Sequence, residues 1–215
     1  MKKKYSIIIN LLSGLIRSVY SSSQYCIKKG YKHRTSYRYY DNTPCSDEWQ
    51  NEIYIEACRF AKENNLNKVI DIGCGSAFKL LKHFSDFETI GVDVPETYNF
   101  LQKKYPQEKW LSTADIEASE LTGDLIICSD VIEHVEDPNK IIEQIKQIKN
   151  IKFIFISTPE RNILNGCYHY GPPRNPHHLR EWSGWEFRNF ISQHFNILSH
   201  TITNYNQGTQ LIVCN

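Results

Sequence analysis

Apolar residues along the chain alternate between short unbroken runs and stripes at helical spacing. Val69, Ile70 and Ile72 make one run and Leu125–Ser129 another. Runs of this kind suit strands covered on both faces, as in parallel sheets. Thr89–Val94, Trp110–Asp115 and Ile151–Ser157 complete five predicted strands. Trp49, Ile53, Ala57, Phe60 and Ala61 form a buried stripe ahead of the first strand, and Ser46 with Asp47-Glu48 predicts where that helix begins. Ser76–Phe84 and Glu96–Lys104 predict helices after the first and second strands. Asp137-Pro138 gives a capped start, with proline in the first turn, to a helix that buries Ile141, Ile142, Ile145 and Ile148. Ser183-Gly184-Trp185-Glu186 has the form of a capping box and opens a last helix with Phe187, Phe190 and Ile191 inward. Phe195–Thr203 and Gln210–Cys214, joined across Asn206-Gln207-Gly208, predict a terminal hairpin. Strands alternating with helices predict an α/β fold around a largely parallel sheet.

In such sheets, ligands bind beyond the carboxyl ends of the strands. The segment KVIDIGCGSA (Lys68–Ala77) ends its strand in Asp71 and two glycines, Gly73 and Gly75. A bare turn there lets backbone N–H groups approach a ligand, with a helix N-terminus behind them. GVDV places Asp93 at the tip of the next strand, where a carboxylate can hydrogen-bond a ribose. Asp115 and Ser129 end further strands on the same rim. A dinucleotide fingerprint needs Gly or Ala where Phe78 stands, which argues against a nicotinamide cofactor. An acid two residues ahead of the first glycine would repel a pyrophosphate but attract a cation.

These residues, D-x-G-x-G-x-(G/A) followed in order by Asp93, Asp115 and Ser129-Asp130, resemble the class I S-adenosylmethionine-dependent methyltransferases. The resemblance implies an α/β, Rossmann-like seven-stranded sheet, mostly parallel with the last strand antiparallel, and helices on both faces. It also implies that Asp71 and the Gly73–Gly75 backbone hold the methionine end of S-adenosyl-L-methionine, and Asp93 its ribose. Val94 would pack on the adenine, whose amino group Asp115 and the Ile116 backbone would read, with Ser129 beside them.

The acceptor side falls to CSDVIEHVEDP and to the long loop Thr158–Glu181. Asp130, Glu133 and His134 stand at i, i+3 and i+4, which on a helical turn puts them on one face, as a general base or a metal site requires. Arg161, His169, Arg174, His177, His178 and Arg180 in the loop suit an anionic acceptor such as a nucleotide-linked or phosphorylated sugar. A solvated loop stiffened by its prolines is the alternative. YYDNTPCSDEWQNEIY, CSDVIEHVEDP, STPER and GPPRNPHHLREWSGWEF resemble small methyltransferases of bacterial cell-surface polysaccharide synthesis. DVIEH with HLREW is also similar to the ubiquinone-biosynthesis O-methyltransferases, and to small-RNA 3′-end 2′-O-methyltransferases, where ExxEH and a later histidine hold a divalent metal. The resemblance implies catalytic functions for His134, His178 and Asp130. It also implies a Mg²⁺ or Mn²⁺ site at Asp130, Glu133, His134 and His178. The expected reaction is O-methylation of a sugar or polysaccharide precursor. A quinol-type metabolite, an RNA 3′ end, and a cofactor-binding partner subunit without catalysis stay open beside it.

Charge changes this picture in one respect. Lys plus Arg number 25 against 24 for Asp plus Glu, so the balance argues against a nucleic-acid partner. Seven cysteines, odd in number and without a CxxC, fit a reduced, cytoplasmic chain. At the N-terminus, Ile8, Leu11, Leu12, Leu15, Ile16 and Val19 predict an amphipathic helix too short to span a bilayer. Residues 7–20 are then a surface for the domain, a partner subunit or a membrane face, with a secretion signal as the remaining alternative. Residues 25–43 interleave tyrosines with lysines and arginines, as a cover over the cofactor cleft or as a contact for nucleic acid or a phosphorylated acceptor. Residues 1–43 thus form an N-terminal segment and residues 44–215 the methyltransferase domain.

Overall fold

The computed structural model describes residues 24–36, 38–44 and 49–215. The apolar runs become β1 (Lys68–Ile72), β2 (Glu88–Asp93), β3 (Trp110–Ser112), β4 (Leu125–Ser129) and β5 (Phe153–Pro159), and the terminal hairpin becomes β6 (Ile197–Asn204) and β7 (Thr209–Cys214). Their order across the sheet is β3-β2-β1-β4-β5-β7-β6. The first five are parallel to one another, and β7 runs antiparallel to both of its neighbours. The expected seven-stranded, mostly parallel sheet is the observed one.

Alternate strand residues feed two cores. Ile70, Ile126, Cys128, Ile154 and Ile156 face one side, where α4 (Pro138–Gln147) and α6 (Gly184–Ser192) bring Ile142, Ile145, Phe187 and Phe190. Val69, Leu125, Ile127 and Phe155 face the other, packed by α1 (Asn51–Glu63), α2 (Phe78–His83) and α3 (Pro95–Lys104). The Asp137 carboxylate caps α4 by accepting from Asn139 N, and Glu186 closes the capping box of α6. A one-turn helix, α5 (Arg161–Asn165), follows β5.

Four expectations need correction or fall outside the described residues. Trp49 is not part of the buried stripe of α1: the helix begins only at Asn51, after Gln50 in a left-handed conformation, and Trp49 is 54% exposed. Residues 130–136 are a turn, not a helical face, because Asp130 takes a positive φ of 52° that no α-helix accommodates. Ser46–Glu48 and residues 7–20 lie outside the described residues, so the predicted capped start of α1 and the amphipathic N-terminal helix do as well. Among the described residues, no helix is long and apolar enough to cross a membrane.

The N-terminal stretch 24–34 threads along the loop between β5 and α6. Cys26, Ile27 and Tyr31 are buried in the core, Trp182 Nε1 donates to the Tyr25 carbonyl at 2.9 Å, and Arg34 N donates to the Leu179 carbonyl at 2.8 Å. Glu186 ties the two together. It accepts from Lys28 N at 2.9 Å and pairs with the buried Arg161 at 2.6 Å, whose guanidinium lies over the Tyr31 ring.

Candidate functional site

Residues at the carboxyl ends of β1, β2, β4 and β5 form the rim of a cleft. Asp71 sits one residue before the end of β1, and Asp93 ends β2, the adjacent strand. Gly73 and Gly75 both take positive φ in the turn between β1 and α2. A Cβ at Gly73 would strike Val131, and one at Gly75 would strike the Asn42 side chain, so a larger residue at either place would displace its neighbour as well as strain a left-handed backbone. Asp71 shares its face of the sheet with Val69, toward α1, where Tyr54 donates to its Oδ2 at 3.0 Å. The other oxygen, Oδ1, is buried without a partner. Burial pushes the Asp71 carboxyl up to about 7, opposed by the Tyr54 hydrogen bond. Burial also raises Asp93, against the N–H groups of Gly75 and Val94 that donate to it at 2.7 Å each.

The segment 38–44 lies across this rim. Tyr39 Oη is 3.2 Å from Thr97 Oγ1 beside Asp93, and Asn42 covers the Gly75 turn. Tyr40 turns the other way, its ring near-parallel to His134 and 5.0 Å from His177. The basic-aromatic stretch therefore divides in two: residues 24–34 brace the loop, and residues 38–44 cover the cleft.

On the far side of the rim, ligand atoms of Glu133, His134 and His178 lie within 4.8 Å of one another. Glu133 is fully buried. Its Oε2 accepts from Thr158 Oγ1 at 3.0 Å, and its Oε1 has no partner. Burial, with Asp130 nearby, holds the Glu133 carboxyl well above the ordinary range. His134 Nδ1 lies 3.0 Å from the His177 carbonyl, which can only accept, so Nδ1 carries the hydrogen and Nε2 offers a lone pair. Burial and the adjacent His178 lower His134 to about 3, which keeps it neutral. Glu133 Oε1, without a hydrogen bond, lies 3.9 Å from the His134 Nε2 lone pair, and the His178 Nε2 lone pair is held by Asn175 Nδ2 at 2.9 Å. Such a set of acceptors suits a cation or the hydrogen of a hydroxyl group.

Residues 48–213 match the family model of a methyltransferase domain. The chain belongs to that family. With its sheet order, it is a class I S-adenosylmethionine-dependent methyltransferase domain, as the glycine turn and its two acids suggest. It is 31% identical over 113 residues to the tRNA U34 carboxymethyltransferase of Campylobacter lari, a match covering 48% of this chain and 39% of that protein. It is 35% identical over 108 residues to the ubiquinone biosynthesis O-methyltransferase of Aliivibrio fischeri, covering 45% of each. The matches thus span less than half the length of these curated relatives. The methyltransferase domain of bacterial CtHen1 shares its fold, with a TM-score of 0.57 at 19% identity over 77% of this chain and 98% of that one.

Within this methyltransferase domain, Asp71, Gly73, Gly75, Asp93 and Val94 stand together at adjacent strand ends. Asp115 lies beyond β3 in an exposed turn, and Ile116 packs partly against the core. Ser129 faces Ser157 Oγ at 3.1 Å, and Ser157 Oγ donates to Asp130 Oδ1 at 2.6 Å. Asp130 Oδ2 accepts from Gln50 Nε2 at 2.8 Å, so its carboxylate is turned away from the cluster that Glu133, His134 and His178 form. Arg161 and Arg180 do not line the acceptor side as expected. Arg161 is committed to Glu186, and Arg180 donates to the Val135 and Glu136 carbonyls at 2.5 and 2.7 Å. Tyr54, Asn42 and Thr158 are site neighbours that pattern alone does not single out. Tyr54 has the spacing of a core residue on α1, and nothing local marks its hydroxyl for Asp71.

Proposed function

We propose that this domain transfers the methyl group of S-adenosylmethionine to a hydroxyl oxygen of a sugar or polysaccharide precursor. The carrying observation is the convergence of His134, His178 and Glu133, two imidazoles and a buried acid, on the far side of the rim. Asp71 would face the ammonium group of the cofactor, its unpartnered Oδ1 completed by that cation, and Asp93 the ribose. The sulfonium supplies the chemistry: the S–CH₃ bond breaks as the O–CH₃ bond forms, and the hydroxyl loses its proton. The protein's part is to align the two and to accept that hydrogen. Of the loop's basic groups, Arg174 remains exposed for a phosphorylated or nucleotide-linked acceptor. Incubation with labelled cofactor and a panel of nucleotide sugars, quinols and short RNAs, followed by mass spectrometry, tests the acceptor. Methylated sugar is the expected product. Methylation of a quinol or an RNA end alone would overturn the sugar reading, and cofactor binding without turnover on any acceptor would favour a partner subunit.

A second reading rests on the same three residues. Glu133 Oε1, the His134 lone pair and, once Asn175 gives way, the His178 lone pair would fit a divalent Mg²⁺ or Mn²⁺, which would supply Lewis-acid polarisation of the acceptor oxygen. Loss of activity on chelation, restored by Mn²⁺, would support this reading. Full activity after exhaustive chelation would leave the hydroxyl to the side chains alone.

A further inference from the structure

The two ring nitrogens of His178 are assigned by neighbours on opposite sides. Asn175 Oδ1 accepts from His177 N at 3.0 Å, which fixes the orientation of that amide and points its Nδ2 at His178 Nε2, 2.9 Å away. An amide NH₂ only donates, so Nε2 is the unprotonated nitrogen. The hydrogen then sits on Nδ1 and is donated to Glu181 Oε1 at 2.8 Å. Glu181 is buried and held from every side: Asn165 Nδ2 donates to its Oε2 at 2.9 Å, Arg161 Nη1 donates to its carbonyl at 3.0 Å, and its own N–H donates to Tyr31 Oη at 3.1 Å. Tyr31 and Arg161 belong to the brace formed by residues 24–34 and α5. The brace thus ends on the carboxylate that orients His178.

We propose that Glu181 is the positioning residue of the acceptor pocket: it holds His178 in the Nδ1–H tautomer, so that Nε2 presents a lone pair beside His134 and Glu133. Asn175 Nδ2 occupies that lone pair in the free protein and is the donor that an acceptor hydroxyl replaces. The inference rests on the O-methylation reading for its consequence, but not for its geometry. Removing the orienting carboxylate of a histidine can cost several orders of magnitude in turnover while leaving the fold in place, because the imidazole takes the wrong tautomer.

Glu181→Gln tests this in the full chain. Asn165 Nδ2 requires an oxygen where Oε2 now stands, so the glutamine would turn its NH₂ toward His178 Nδ1, and with Asn175→Ala removing the amide that opposes it at Nε2 the tautomer inverts. Long-range ¹H–¹⁵N spectra of histidine-labelled protein read this directly. The expected result is Nδ1–H for His178 in the wild type and in N175A, where Glu181 alone orients the ring, and Nε2–H in E181Q/N175A, with S-adenosylhomocysteine affinity within about twofold of wild type. Methyl transfer should fall about 100-fold or more, and Glu181→Asp should recover part of it. An Nε2–H tautomer in the wild type would overturn the assignment, whether or not the variant folds. So would an unchanged tautomer in folded E181Q/N175A. If the tautomer inverts while the wild type methylates no hydroxyl acceptor, the O-methylation reading fails and the positioning assignment stands.

Discussion

Tyr54 donates its phenolic hydrogen to one oxygen of Asp71 and leaves the other buried with no partner. The carboxyl is thus oriented yet incompletely satisfied, and burial pushes it up to about 7. A cationic group arriving at Oδ1 would favour the charged form. S-adenosylhomocysteine should therefore bind more tightly as the pH rises from about 6 to about 8, with most of the gain near 7 and a plateau above. For the free fold the sign is opposite. An acid raised above its unfolded-state value contributes stability that is fully present below that value and lost as the pH climbs through 7. Calorimetry across this range measures the slope, and Asp71→Asn should flatten it. A slope unchanged in that variant would assign the titration to another group.

Asp93 closes the other half of the rim, and its carboxylate already gathers two backbone N–H groups. If it also holds the ribose, Asp93→Ala should weaken S-adenosylhomocysteine binding by about tenfold or more, given about 1.5–3 kcal/mol for a hydrogen bond to a charged group. An unchanged affinity would remove Asp93 from the cofactor site.

The cover formed by residues 38–44 touches both halves of the cleft, through Tyr39 and Asn42 on one side and Tyr40 on the other. Bound cofactor should hold it down. At a ligand concentration about ten times Kd, tryptic cleavage after Arg38 should slow roughly tenfold, as mass action on the open form requires. Tyr39→Phe should lose part of that protection. Equal cleavage with and without ligand would separate the cover from cofactor binding.

Arg161 and Glu186 are an ion pair buried on both sides. Breaking such a pair strands a charge and costs about 3–5 kcal/mol. Arg161→Met should lower the melting temperature by about 10 °C in a domain of this size. Asp71, Gly73, Gly75 and Asp93, proposed to hold the cofactor, lie away from the pair, so affinity for S-adenosylhomocysteine, measured below the transition, should change little.

The rim was legible in the sequence because its signal is local. Asp71, Gly73 and Gly75 follow one another within a single turn, and the apolar runs before Gly73 and Asp93 announce buried parallel strands. The hairpin and the capped starts of α4 and α6 were legible for the same reason. The wall that carries Glu133, His134 and His178 was not. Asp130, Glu133 and His134 have helical spacing, but the positive φ at Asp130 bends the chain and sends that carboxylate to Gln50 and Ser157. Arg161 and Arg180 look like anion binders until their partners appear, and those partners lie far away in the chain. Trp49 has the hydrophobicity of a core residue, yet it precedes the first turn of α1 and stays outside.

The contact between Lys28 and Glu186 joins positions 158 residues apart. Loops of that span close late, because chain entropy must be spent before the contact returns anything. On the ribosome, β1 to β4 can assemble as they emerge, whereas the wall that carries His178 waits for the last third of the polypeptide to find the first. On the proposed assignment, a nascent chain would own a seat for its nucleoside before it owned any means of using one.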